Sequence, residues 1–340
     1  MTYKKNDNIP SEMFEQVGIS TEKSEKISRP SLTAMQDSWM RIRKNKAAIV
    51  SLVILVLVVL MAIAGPWMSP HAPNDQNVEH SNLPPKVQGF ENMPFWNGKQ
   101  ELAGTETDVY KENNVKDYYW FGTDSLGRDL FSRTWEGTRI SLYIALIATI
   151  ISLAVGVTYG MVSGYVGGRV DNFMQRIIEI ISGIPNLVVV ILMLLIMKPG
   201  LNAIIIAIAI TGWINMARVV RAQVLMLKQQ EFVLAAQAMG KPTSGILFKH
   251  LIPNLSGVII INTMFTIPDA IFFEAFLSFI GIGLQPPTAS LGTLIEEGYK
   301  SLRFLPYQIV YPAFVICLIM IVFNLIADGL RDAFDPKMRD

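Results

Sequence analysis

The 340 residues are 51% hydrophobic and only 17% charged, with a mean hydropathy of +0.36. Soluble domains carry about 25% charged residues, so much of this surface is expected to meet lipid, and a net charge of +1 argues against nucleic acid as a partner. The single cysteine, Cys317, excludes an internal disulfide framework and a cysteine-based metal site; in its apolar run it reads as a small packed hydrophobe.

Residues 1–46 are polar, with Lys4, Lys5, Lys23, Lys26 and Arg29 in an early part read as disordered. The cluster Arg41, Arg43, Lys44 and Lys46 stands directly against the first apolar run, Ala47 to Gly65. That run matches the roughly 20 residues a bilayer crossing needs. Ala62-Ile63-Ala64 imitates a signal-peptidase site, but the polar stretch ahead of the run is far longer than an n-region, so residues 47–65 read as a retained anchor helix. Residues 66–138, rich in Pro, Asn, Gly, Trp and Tyr, contain no run able to cross a membrane and read as a long extracytoplasmic lobe. His71, Asp75, Glu79 and His80 fall in loop-like sequence with no fixed ligand geometry, so no metal site is expected. Asp124, Arg128, Asp129 and Arg133 alternate in sign before the second span. They form either ion pairs at an outer gate or partner dock, or a solvated approach to the helix, where exposed pairs contribute at most about 1 kcal/mol each.

Residues 139–328 read as the transmembrane core. Its second span, Ser141 to about Tyr165, carries Gly156, Gly160 and Gly164, with Gly168 beyond; glycines four apart share one helix face and let another backbone approach closely. The third span runs from about Phe173 to Met197 with Pro185 inside it, and the Lys198-Pro199-Gly200 turn makes the fourth, Leu201 to about Val219, its antiparallel neighbour. A polar-amphipathic loop, 220–254, precedes the fifth span, Leu255 to about Leu284, and the sixth is Pro306 to about Asp328. Charges inside spans are costly and usually functional: Glu179 lies on the third, Asp269 and Glu274 on the fifth. The last two either meet a substrate's amino terminus in the pathway or pair within the bundle or at a subunit interface. With the N-terminus inside, basic residues concentrate on the cytoplasmic segments, which puts the charged tail 329–340 inside as well.

The 231–253 loop is the most informative stretch. Glu231 to Met239 favours a short helix with Phe232, Val233, Ala235, Ala236 and Met239 as apolar surface. Gly240 suits the left-handed stop and Pro242 blocks continuation; Thr243 or Ser244 can cap a second helix that ends near Pro253. Helix, glycine turn and helix make a knob for another protein's groove. Gly240-Lys241 does not belong to a phosphate-binding loop, because Ala235 stands where its first glycine belongs and Pro242 follows the lysine.

This loop resembles the signature loop of bacterial ABC importer permeases, Glu-Ala-Ala, three residues, Gly, nine residues, Ile, one residue, Leu-Pro. Ala235-Ala236, Gly240 and Pro253 fall on that pattern, whereas Leu234 replaces its Glu, His250 its Ile and Ile252 its Leu; Glu231 is the candidate substitute for the missing acid. Phe121-Gly-Thr-Asp124-Ser-Leu-Gly-Arg128-Asp129, Glu274-Ala-Phe-Leu-Ser-Phe-Ile-Gly281-Ile-Gly283 with Pro286-Pro287, and Asn324-Leu-Ile-Ala-Asp328-Gly-Leu-Arg331-Asp-Ala-Phe-Asp335-Pro336 resemble oligopeptide and dipeptide permeases of the C type. One departure is Leu291, where that family has Trp. The resemblance implies an all-α polytopic membrane protein of about six transmembrane helices, type I permease-like, in the inner membrane of a bacterium with both termini cytoplasmic. It implies no catalysis and no cofactor on this chain: ATP and Mg belong to two ABC ATPase subunits, joined by a homologous second permease, an extracellular peptide-binding lipoprotein and a peptide substrate. Nickel, glutathione or oligosaccharide importers use similar permeases, and a stand-alone secondary transporter is the rival class.

Overall fold

The computed structural model describes residues 39–102, 105–197 and 200–334; the segment 1–38, the Lys198-Pro199 pair and the end of the tail lie outside them. The described chain is helical apart from one small hairpin. Helix α1, Lys46–Met68, starts where Asn45 Oδ1 accepts from Ala48 N at 3.2 Å. The lobe follows, with a 3₁₀ turn Val78–His80, antiparallel strands β1 (Lys99–Leu102) and β2 (Thr105–Asp108), and the short helix α2, Val109–Glu112. Leu83, Tyr110 and Tyr119 form its core. Both histidines pack there: His71 stacks on the Tyr119 ring at 4.4 Å, and the Tyr119 hydroxyl lies 2.7 Å from His80 Nδ1. Burial, helped by Asp117 and Asp129, pushes that hydroxyl up to about 12, so it stays a donor. Among the described residues no group of three or more His, Cys, Asp or Glu could hold a metal ion.

Helix α3, Leu130–Val166, has 37 residues and is about 55 Å long at 1.5 Å per residue. That exceeds a bilayer core of about 30 Å, so the helix begins eleven residues ahead of the expected Ser141 and its charged first turns belong to the lobe. Next come α4 (Gly168–Ser182), α5 (Asn186–Ile196), α6 (Leu201–Leu227), α7 (Glu231–Ala238), α8 (Thr243–Ile246), α9 (Ile252–Phe279), α10 (Leu291–Ser301) and α11 (Tyr307–Phe334). Helices α1, α3, α6, α9 and α11 are each long and apolar enough to cross a membrane.

The third expected span is a bent pair, not one helix. Helices α4 and α5 meet at 81°. Pro185 lacks an N–H and disfavours helical backbone in the residue before it, and α5 restarts directly after it. Helix α4 carries Arg169, Asp171, Gln175, Arg176 and Glu179, which keep it out of hydrocarbon by itself; α5 alone, eleven residues, is only about 16 Å long. Glu179 is exposed and pairs with Arg176 at 2.6 Å. The bent pair is a broken span or a re-entrant loop; counted as one span, it brings the five continuous helices to six.

Helices α3 and α6 make the most extensive contact in the fold. They run parallel, since Gly156, Gly160 and Gly164 abut Met216, Val220 and Val224 in turn. A Cβ on Gly160 would stand 2.5 Å from the Ala217 carbonyl and 2.9 Å from Val220 Cβ, so only hydrogen permits this separation. Gly168 lies beyond the end of α3 with open space around it. Where the stripe ends, Arg221 of α6 donates to both oxygens of Asp171 on α4 at 2.6 Å, and Lys228 Nζ donates to the Gly164 carbonyl at 2.9 Å. These bonds lock α3, α4 and α6 together at the end away from the lobe. Cys317 is exposed on α11 rather than packed, because a helix in lipid turns apolar residues outward as readily as inward.

Candidate coupling loop and membrane-buried polar groups

Helix α7 follows α6 after a turn at the end of the bundle away from the lobe. Its apolar residues divide by face. Val233 and Ala236 are buried in a cluster with Val220 and Val224 of α6, Met161 of α3, Ile246, Leu251 and Leu255. Phe232, Leu234, Ala235 and Met239 face outward, Met239 at 79% exposure, and Phe248 joins them. Glu231 is exposed in the first turn, where a carboxylate suits the helix dipole. Gly240 closes the helix at φ +72°, and Lys241 N then donates to the Ala236 carbonyl at 3.1 Å. Lys241 Nζ donates to His250 Nε2 at 2.8 Å, since an ammonium has no acceptor.

The second half of the loop departs from the expected knob. Pro242, not Thr243 or Ser244, occupies the cap position, and no side-chain cap forms. The second helix does not end near Pro253. Helix α8 passes through a π turn, Leu247–Leu251, into α9 without a break. Pro253 follows the π turn, whose looser i→i−5 bonding lets the helix continue past a residue with no N–H. Thr243 to Phe279 is thus one 37-residue rod, joined to α7 through the Gly240–Pro242 turn.

The two acids of α9 have opposite environments. Glu274 is fully buried; its Oε2 accepts from Ser141 of α3 and its Oε1 from Ser278, each at 2.8 Å. Ser141 Oγ in turn accepts from Leu291 N, the first residue of α10, at 3.3 Å. Glu274 therefore joins α3, α9 and α10 and is shut off from any open path, whereas Asp269 is exposed on the other side of the same helix. Substituting Glu274→Gln should lower the unfolding midpoint in detergent, by an equivalent of roughly 1–3 kcal/mol for a buried hydroxyl left without its acceptor, and leave the substrate concentration for half-maximal uptake unchanged. A shifted half-maximal concentration would return Glu274 to the path.

The Asp124 group is not a solvated surface. Asp124, Arg128, Asp129 and Arg133 are each under 5% exposed. Arg128 Nε lies 2.6 Å and Arg133 Nε 3.4 Å from Asp124 Oδ2, and both guanidiniums reach Glu297 of α10 at 3.1 and 3.4 Å. Asp129 takes no part in these pairs. It caps α3, accepting from Phe131 N and Ser132 N at 3.2 Å, and accepts from Ser69 Oγ at 2.7 Å. Glu297, Ser141 and the Asp171–Arg221 pair escaped the sequence reading. Partners 50 to 169 residues apart leave no local pattern, and the only trace was opposite charges beside apolar runs.

A family profile described as "Binding-protein-dependent transport system inner membrane component" matches residues 156–340, and one described as "N-terminal TM domain of oligopeptide transport permease C" matches residues 33–85. The dipeptide transport system permease protein DppC of Lactococcus lactis is 48% identical over 93% of this chain and 94% of its own length. The oligopeptide transport system permease protein OppC of Bacillus subtilis is 45% identical over 98% and 99%, and that of Escherichia coli 39% identical over 93% and 95%.

Proposed function

The chain belongs to the binding-protein-dependent transport inner-membrane component family, whose members are permease subunits of ABC importers, and on that premise we propose that it forms half of an oligopeptide pathway driven through α7. The unbroken helix from α8 into α9, with an outward apolar face on α7, is the observation that carries this reading. Two ATPase subunits bind ATP and Mg. Their closure pulls the docked α7 helices, and the α8–α9 rod tilts against the α3–α6 pair. The cavity between this chain and a homologous second permease then opens toward the lobe side, where an extracellular lipoprotein delivers the peptide, and hydrolysis resets the pair. Both termini are cytoplasmic in the bacterial inner membrane. Each large apolar side chain that α7 buries in a groove contributes roughly 1.5–3 kcal/mol, so Phe232, Leu234 and Met239 suffice for a stable dock. Glu231 and Leu234, three apart, share a face, which lets Glu231 serve where the family pattern has its acid.

The test is a Met239→Cys variant in a Cys317→Ser background, needed because the native thiol is exposed, treated in intact cells with a short bismaleimide. Cross-linking to a nucleotide-hydrolysing subunit is expected. Its absence, with uptake intact, would reject the docking role and favour a stand-alone carrier. Peptide length preference is read by competition among a length series for uptake.

A further inference from the structure

The exposed face of α9 carries one unanswered charge. Asp269 lies ten residues before the helix end at Phe279, about 15 Å along the axis, within the apolar part of the span. Among the described residues no hydrogen bond or ion pair reaches its carboxylate. A charge facing lipid at such depth costs on the order of 2.5–3.5 kcal/mol, so this face meets protein or an aqueous path.

The neighbours define what it can meet. With 3.6 residues per turn, Asn262, Phe265, Thr266, Phe272 and Phe276 share the face of Asp269, while Ile267, Ile271, Glu274 and Ser278 point into the bundle. Asn262 Nδ2 donates to the Val258 carbonyl at 3.0 Å and Thr266 Oγ to the Asn262 carbonyl at 2.8 Å. The Thr266 hydroxyl and one of the two Asn262 N–H donors are used within the helix, so the strongest polar group left on the face is an acceptor, the Asp269 carboxylate, with Asn262 Oδ1 beside it. Phe272 and Phe276 are exposed beside them, and aromatic rings attract cations. A carboxylate with a neighbouring amide oxygen and flanking rings selects a compact cation with several N–H donors and an apolar flank, and rejects an anion.

We propose that Asp269, with Asn262 and the rings of Phe272 and Phe276, is a station for the amino-terminal ammonium of the peptide inside the pathway. The inference rests on the importer reading above and deepens it. Because α9 is continuous with α8, the station shifts with the coupling helix, so hold and release follow the ATPase cycle. The peptide's carboxylate end is repelled, and the chain passes this face with a fixed polarity.

The experiment uses the complete transporter in proteoliposomes, with tri-alanine uptake as the assay and photo-leucine tripeptides labelled at the first or the third residue as probes. We expect Asp269→Asn to cut tri-alanine uptake roughly tenfold, the size of a lost charged hydrogen bond, with Asp269→Glu restoring most of it and the complex staying whole. The first-position probe should label residues 262–276 and the third-position probe should not. Unchanged uptake by Asp269→Asn, equal labelling from both positions, or loss of the second permease from the Asp269→Asn complex would each overturn the station; the last would make Asp269 an interface residue paired with a partner's cation. A wild-type complex without ATP-driven tri-alanine uptake would instead defeat the importer reading itself, so the two failures are distinguishable.

Discussion

Replacing Asp124 with alanine should cost about 3–5 kcal/mol, the expense of leaving buried charge without its partner, and most of the chain should fail to reach the membrane in folded form. Arg128 and Arg133 are 3% and 1% exposed, and each leans on Asp124 and on Glu297. Glu297 has 28% of its side chain exposed, so alone it faces two guanidiniums from a partly wet position. Asp124 also accepts from Leu126 N and Arg128 N at 2.9 and 3.0 Å, which orders the turn ahead of α3. The thermal midpoint of the detergent-solubilised chain measures the loss. An internal control is Lys99→Ala, which removes the exposed Lys99–Glu106 pair at 3.5 Å and should change stability by under about 1 kcal/mol. Equal midpoints for the two variants would mean that the Asp124 group is wetter than its geometry indicates.

Gly240→Trp should stop uptake while the chain still folds. The position has φ +72°, so any side chain there incurs about 1–2 kcal/mol of left-handed strain. A Cβ, however, would meet no atom within 4 Å. The indole therefore projects outward from the surface that carries Met239 and Leu234, into the space the docking reading gives to the ATPase. Losing about 1.4 kcal/mol of docking is a tenfold change, and a bulky ring in a fitted groove should exceed that. Gly240→Ala carries the same strain without the bulk and should keep most uptake. ATP-dependent peptide uptake, measured beside peptide binding by the extracellular partner, separates the cases. Retained transport by the tryptophan variant would end the coupling role of this turn.

Several features were legible in the residues alone. The apolar runs at 47–65, 141–165 and 201–219 each sit within a long helix, and those at 255–284 and 306–328 overlap one, α9 ending at Phe279 and α11 starting at Tyr307, because hydrocarbon demands internally satisfied backbone and helices supply it. The break at Pro185 was legible, but not the 81° bend it permits. The helix runs on through Pro253 where the sequence predicts a stop, because the π turn just before it accommodates the missing N–H. Asp269 and Glu274 read alike as intramembrane acids; their separation to opposite faces depends on which side of α9 the α3 and α10 helices cover.

By itself the sequence determined the chemistry of the surroundings: which stretches enter lipid, where a left-handed turn falls in the 231–253 loop, and that no phosphate-binding loop is present. These depend on composition and on neighbours a few residues apart. Only the tertiary structure decided that Asp124 is buried beside Glu297, that Glu274 is sealed against Ser141, and that α8 and α9 are one rod. Burial is set by which helices meet, and contacts between residues about 130 to 170 positions apart leave no periodic trace in the chain; the α8–α9 continuity turns on the π turn at Leu247–Leu251, which no propensity marks.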